Sequence, residues 1–285
     1  MSHSEASALP ELSRETLRDI EHLAVELADI AGAEITKALG SVLAVKYKTA
    51  AKEDEWRDPV SEIDNKIERM IRERLAENFP DHDIIGEEME HRPARDADFL
   101  WLIDPIDGTA NFVNGFPLFS ASIGILHKGV PVVGALWCPV SHALRAGVYH
   151  CTRGGKLRFG GADVTPKVNP SVRRRLVGVP VATPSDGFWE TRKTGSAAFE
   201  CAMVAAGLLQ AARFSSPNIW DIAGGLALVF AGGGVVRRRQ EDKTWVPMDR
   251  FAMTSDNQDL RLWRGEIIIG DPAAVEKMCE AQTAA

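Results

Sequence analysis

The sequence is poor in cysteine and tyrosine, with four and two among 285 residues. Cys138, Cys151, Cys201 and Cys279 stand far apart, with no CxxC pair and no His at ligand spacing. That pattern argues against a disulfide framework or a zinc knuckle and for reduced core thiols in a cytoplasmic setting. The seven His residues form no HExxH or HxH, which removes the usual zinc hydrolases. The opening stretch, MSHSEASALPELSRETLRD, has no basic segment leading into an apolar one, so no secretory signal is read there. The longest uncharged apolar run, Ile222 to Val236, is Gly-rich and shorter than the roughly 20 residues a bilayer span requires. No membrane partner follows. A surplus of cations is missing as well: 33 Lys plus Arg face 40 Asp plus Glu, for a formal charge of −7. General nucleic-acid binding through phosphate neutralisation is therefore not expected.

What is present is a globular composition, 45% hydrophobic and 26% charged, long enough for one large domain or two ordinary ones. Leu12, Leu17, Ile20, Leu23, Leu27, Ile30 and Ile35 recur at helical spacing and predict a helix over 11–39. The charged stretch 45–58 reads as an exposed hairpin or mobile loop. A second helix is expected from Ser61, stopping at Pro80 and Asp81. Short apolar runs follow, DIIGEE and FLWLIDPIDGT, then a hairpin turning at His127-Lys128-Gly129 and a further strand in LRAGVYH. Beyond the Gly-rich segment 153–161 the chain alternates strand-like RRRLVGVP, GVVRRR and GEIIIG with helix-like GSAAFECAMVAAGLL, IWDIAGGLALVFAGG and AAVEKMCEA. The pattern predicts an α+β half over 1–152 and a smaller α/β half over 153–285.

The acids at the strand ends carry the chemical signal. In Trp101-Leu102-Ile103-Asp104-Pro105-Ile106-Asp107-Gly108-Thr109 an apolar strand delivers Asp104, and Pro105 is expected to start a turn that returns Asp107 toward it. Gly108 and Thr109 would then expose backbone N–H groups at a helix start. Anionic oxygens beside such donors suit a metal ion and a phosphate. Glu87 and Glu88 join if the two strands are neighbours. Carboxylates brought to about 4 Å repel by about 4 kcal/mol per pair at an effective dielectric of about 20, so the cluster calls for a cation. Oxygen donors without His or Cys favour Mg2+. Each acid also has a plain structural use. Asp-Gly is a turn former, Glu87 and Glu88 fit a solvated acidic loop, Asp64 completes a capping box with Ser61, and Asp221 caps the helix after Trp220.

Taken together, DPVSEID (58–64), IIGEE (84–88), WLIDPIDGTANFVNGFP (101–117), GSAA (195–198) and WDIAGG (220–225) resemble the inositol monophosphatase family of lithium-sensitive, Mg2+-dependent phosphatases. The resemblance implies a layered αβαβα sandwich whose N-terminal domain carries most metal ligands and whose C-terminal domain completes the cleft. It implies one Mg2+ on Glu87, Asp104 and the Ile106 carbonyl, and a second on Asp104, Asp107 and Asp221. A weaker third would rest on Glu87. Glu88 would stand behind these ligands or replace one. Asp64 and Thr109, with Glu87, would serve the attacking water. Asp107, Gly108, Thr109, Gly195, Ser196 and Ala197 would meet the substrate and its phosphate. Relatives are commonly homodimers, and strands 118–137 with Trp137 are candidates for the interface.

Departures from the family pattern fall on the substrate. Inositol-specific members carry a Glu seven residues before the WD aspartate, and here that position is Phe214, preceded by Arg213. The expected substrate is a small phosphorylated metabolite like inositol 1-phosphate. Histidinol phosphate, which Phe214 could stack against, and fructose 1,6-bisphosphate are the alternatives. The mobile-loop lysine of the family has Lys52 as its nearest candidate, because Glu53 holds the usual offset. One bacterial relative acts with RNA polymerase in antitermination. Arg173-Arg174-Arg175 and Arg237-Arg238-Arg239 would be the contact points of such a binding role.

Overall fold

Ser13 starts the first helix. Its Oγ accepts the Thr16 N–H at 2.9 Å, and α1 (Arg14–Ala38) then turns Ile20, Ala24, Leu27, Ala31 and Ile35 inward. The computed structural model describes residues 12–40, 45–47, 59–95, 97–165, 171–181, 188–252 and 260–283. After α1, β1 (Val45–Tyr47) pairs antiparallel with β2 (Pro59–Ser61), which leads straight into α2 (Glu62–Asn78). The rest of the expected loop over 45–58, Lys52 included, lies outside the described residues.

The strands β3 (Asp83–Gly86) and β4 (Phe99–Asp107) come next, then the short α3 (Thr109–Val113). They are followed by β5 (Ser120–His127), β6 (Val130–Cys138), β7 (Gly147–Thr152), β8 (Arg158–Phe159) and β9 (Ala162–Asp163). These seven strands form one sheet in chain order, with β3 and β4 parallel and every later pair antiparallel. The β5–β6 turn falls where the sequence places it, with Lys128 (φ 50) and Gly129 (φ 82) both left-handed, as a two-residue hairpin requires.

The second half runs β10 (Leu176–Gly178), β11 (Glu190–Arg192), α4 (Ala197–Ala205), β12 (Ala211–Phe214), α5 (Ile219–Ala231), β13 (Val235–Arg239), β14 (Trp245–Pro247), β15 (Ile267–Gly270) and α6 (Pro272–Thr283). Its sheet has the order β11-β10-β12-β15-β13-β14.

Three apolar clusters define the layers. One joins α1 and α2 to one face of the first sheet. The largest lies between the two sheets, around α4 and α5. A third seats α6 on the outer face of the second sheet. The result is the layered αβαβα sandwich that the resemblance implies. β5 and β6 are covered on both faces, which explains why their sequences are continuously apolar rather than alternating.

Three expectations change. Pro105 does not start a turn. β4 continues through it to Asp107 and takes up one extra residue as a bulge, Asp104 facing Ser122 and Asp107 facing Ser120. A bulge suits a residue with no N–H to give the ladder. The hairpin strands 118–137 do not offer a subunit interface, since α1 and α5 of the same chain cover them and Trp137 is buried. The division drawn at 152/153 falls inside the first sheet, because β8 and β9 still pair onto β7. The change of sheet comes between Asp163 and Leu176. Cys138, Cys151, Cys201 and Cys279 are all buried as thiols. No helix among the described residues is long and apolar enough to cross a membrane.

Candidate functional site

Parallel pairing gathers the first acids. Gly86 stands opposite Ile103, and the Glu87 N–H donates to the Ile103 carbonyl at 3.1 Å, so Glu87 and Asp104 reach the same end of the sheet. The β4 bulge carries Asp107 to the cleft after Asp104. Asp221 arrives from the layer below, at the start of α5. That helix lies close on the sheet because glycine allows it: a Cβ on Gly224 would stand 2.7 Å from the Ile123 carbonyl oxygen and 2.8 Å from a Leu136 methyl. Together, Glu87, Asp104, Ile106, Asp107, Gly108, Thr109, Ala110, Gly195, Asn218 and Asp221 line a cleft of about 190 Å3.

Electrostatics sets this cleft apart. Asp104 is buried, and its Oδ1 has no hydrogen-bond partner. Burial first, then the charges of Glu87, Asp107 and Asp221, push its carboxyl well above the usual range. Burial raises Asp107 too, against the pull of Ser196 Oγ at 2.6 Å and the Ala198 N–H, both of which donate to its Oδ2. Asp221 is raised by burial and by Asp107 and Glu87, although the Asn218 N–H donates to its Oδ2 at 2.8 Å. Asp64 is pushed up to about 6 by burial, with the Ser61 bonds opposing and Glu87 adding.

Three carboxyls raised by burial and by neighbouring acid charge, one with an orphaned buried oxygen, form a donor set whose chemistry suits a hard divalent cation. Among the described residues no three Asp, Glu, His or Cys side chains are closed round one point as a finished cage. Oxygens of Asp107 and Asp221 are instead held by protein donors.

The residues expected around the ligands fall into two groups. Asp64 accepts at Oδ2 from the Ser61 N–H at 2.9 Å and from Ser61 Oγ at 2.5 Å. Its Oδ1 lies 3.3 Å from Thr109 Oγ1, which is also 2.9 Å from the Ile106 carbonyl oxygen. Asp64 and Asp221 each complete a capping box, accepting the backbone N–H of the N-cap residues Ser61 and Asn218, and Asp221 also lines the cleft. Gly108 is left-handed (φ 89), and a Cβ there would meet Ser196, Leu118 and Gly195 at 3.1 to 3.3 Å. Ser196 caps α4 and touches Asp107, with Ala197 half-buried beside it. The Glu88 N–H donates to Glu68 Oε2 at 2.7 Å.

Arg213 and Phe214 are the exceptions. Arg213 turns to Glu266, with Nε 2.8 Å from Oε1, and Phe214 is 6% exposed in the core between the sheets. Neither lines the cleft. In the arginine triplets, Arg174 donates to the Gly207 carbonyl, Arg175 lies 4.5 Å from the Phe188 ring centroid, and Arg239 pairs with Glu266 at 3.0 Å. Arg173 is exposed.

Sequence reading missed the residues that hold backbone. Asn111 Nδ2 donates to the Leu118 and Thr194 carbonyls at 2.5 and 2.7 Å, tying the turn after β4 to the loop before α4. Glu68, fully buried, holds the Glu88 and Met89 amides. Asn218 holds Asp221. The Asn in TANF and the Asn three residues before Asp221 were visible signals; Glu68 was hidden on a helix face.

Comparison with known proteins agrees with this geometry. A fructose-1,6-bisphosphatase/inositol-1-monophosphatase from Aquifex aeolicus is 32% identical over 226 residues, 74% of this chain and 82% of that protein. A Nus factor SuhB from Pasteurella multocida is 34% identical over 200 residues, 63% of this chain and 71% of its own. The crystal structure of the extragenic suppressor protein suhB from Bartonella henselae superposes with a TM-score of 0.72 at 26% identity, covering 92% of this chain and 98% of that one. The family model described as the inositol monophosphatase family matches residues 16–267, a span that holds every acid of the cleft. With that match over most of its length and the fold in agreement, the chain belongs to the inositol monophosphatase family, a family of phosphoric monoester hydrolases.

Proposed function

We propose that this phosphatase is a Mg2+-dependent phosphomonoesterase that acts on a small phosphorylated metabolite in the cleft between the two sheets. The observation that carries the reading is the buried Asp104 carboxylate, with its orphaned Oδ1, in the field of Glu87, Asp107 and Asp221. Glu87, Asp104 and the Ile106 carbonyl would hold one ion, and Asp104, Asp107 and Asp221 a second, with Glu87 supporting a weaker third. Bound Mg2+ supplies Lewis acidity, which makes water a better nucleophile and offsets phosphate charge.

The chain's own residues do the rest. Thr109 Oγ1, placed between Asp64 Oδ1 and the Ile106 carbonyl, orients the attacking water, and Asp64 Oδ1 accepts the proton passed through that hydroxyl. Left-handed Gly108 turns the chain so that the Gly108–Thr109 amides face the phosphate. Gly195 lines the cleft, and Ser196 and Ala197, which follow it at the start of α4, would meet the substrate from that side.

No acid stands at position 214 to receive sugar hydroxyls, so the reading commits to the monoester class rather than to inositol 1-phosphate. Histidinol phosphate and fructose 1,6-bisphosphate remain its competitors. A phosphate-release screen with Mg2+ over inositol, histidinol, fructose-bisphosphate and nucleotide monoesters tests it. We expect release from at least one panel, loss of release in EDTA and inhibition by lithium. Release that is indifferent to EDTA, or none from any panel, refutes the reading.

A second reading, contact with RNA polymerase beside catalysis, is favoured by the Nus factor relative and the exposed Arg173. RNA polymerase retained equally by wild type and Asp104→Asn would establish it as separate from catalysis. No retention by either would end it.

A further inference from the structure

Glu87 and Asp221 reach the cleft from elements that share no strand: Glu87 follows β3, and Asp221 opens α5. Among the described residues β3 is an edge strand paired to β4 alone. Carbonyls in the turn beyond it therefore need donors from elsewhere. Glu68 and Arg72 of α2 serve this turn from the first half of the chain. Glu68 accepts the Glu88 and Met89 amides, and Arg72 donates to the Met89 and His91 carbonyls at 2.9 and 2.7 Å.

From the second half, the Arg261 side chain reaches this turn. Arg261 donates to the Gly86 carbonyl, and to the Glu87 carbonyl at 2.7 Å, with the Met89 carbonyl 3.3 Å away. The same guanidinium lies over Trp220, its Cζ 5.0 Å from the ring centroid. Trp220 immediately precedes Asp221. Arg261 therefore grips the backbone of one ion-binding acid and stacks on the neighbour of another. A planar fork suits both tasks at once: it presents donors along its edge and a flat face to the indole.

We propose that Arg261 is a positioning residue for metal binding, clamping the 86–89 turn to the start of α5 and so setting Glu87 against Asp221. This rests on the reading that the cleft takes Mg2+. Arg261 touches no reacting atom in this scheme, so its effect should show in ion affinity before any substrate is present.

The test is calorimetric titration of MgCl2 into wild type, Arg261→Leu and Arg261→Lys without substrate, with melting temperatures measured in EDTA. Arg261→Leu should raise the Kd for Mg2+ by about tenfold, within the range seen when groups supporting a ligand are removed. Arg261→Lys keeps the charge but loses the fork and the flat face, and should give a smaller rise than Arg261→Leu. Melting in EDTA should stay within about 4 °C of wild type, because the clamp is local. Wild-type affinity in both variants overturns the proposal, as does a fall in melting temperature with unchanged Kd, which would mark Arg261 as merely structural. If Arg261→Leu does not fold, Arg261→Lys decides: wild-type affinity in it overturns the proposal, and a weakened one upholds it. Should wild type bind no Mg2+, the metal reading fails first, and that outcome is distinct from variants that bind like wild type.

Discussion

A carboxylate oxygen that no donor meets, buried beside three other acids, is held by the fold against its own preference. At Asp104 burial and neighbouring charge both favour the protonated form, so the metal-free protein bears a penalty that grows as pH rises. Asp104→Asn removes that charge and keeps the shape. We expect it to abolish Mg2+-dependent phosphate release and to raise the melting temperature in EDTA at about pH 8. Asp221→Asn should abolish release likewise. Near-normal turnover at saturating Mg2+ in either variant would remove that residue from the site. At this scale the acids were legible because carboxylates announce their chemistry by type and spacing. Asn111, Glu68 and Arg261 were not, because they act on carbonyls and amides that every residue possesses. The Thr194 partner of Asn111 lies 83 positions along the chain. Phe214 shows the opposite error, where a replaced family position suggested a contact that the packing turns into the core.

Elements place these residues, and α5 does it through its glycines. Gly224 has carbonyl, methyl and backbone of β5 and β6 where a side chain would begin. Gly224→Ala must therefore lift α5 and Asp221 away from the sheet. We expect a loss of about 2 kcal/mol in urea unfolding, as for other overpacked cores, together with weakened phosphatase activity. Full stability would show that the helix can shift without cost.

Helices α1, α2 and α5 and strands β4 to β6 could be read because each carries a long apolar pattern. Strands β8, β9, β11 and β14, two or three residues each, carry no periodicity to read. The turn expected at Pro105 failed for a related reason. Proline forbids a ladder hydrogen bond but not an extended backbone, and only the β5 partner reveals that a bulge absorbs it.

The stability of the whole molecule carries a pH signature from outside the cleft. Glu21 on α1 accepts from Arg158 of β8 at 2.6 and 2.7 Å and meets the His150 Nδ1 of β7 at 2.8 Å, joining the outer helix to the first sheet. Burial raises its carboxyl, but His150 and Arg158 together outweigh burial and hold it below the ordinary 4.5. A lowered folded value means stabilisation that is complete above the unfolded pKa and is lost as pH falls through the folded one. Glu21→Gln should therefore cost about 2 kcal/mol at neutral pH, less than a fully buried pair because Arg158 keeps some solvent. The gap from wild type should close toward about pH 3 in urea unfolding. An equal gap at both pH values would deny the carboxylate this role.

The order of the second sheet has a bearing on how the protein comes into being. β12 and β13 touch only through β15, which lies between them in space yet follows both in the chain. While a ribosome is still making the residues before 267, every acid of the cleft has been synthesised, but the floor beneath α5 lacks its middle plank. Until that strand arrives, the nascent chain holds the apolar underside of its first sheet against an unfinished layer. If the cleft takes Mg2+, the second layer behind it is complete only once β15 has been made.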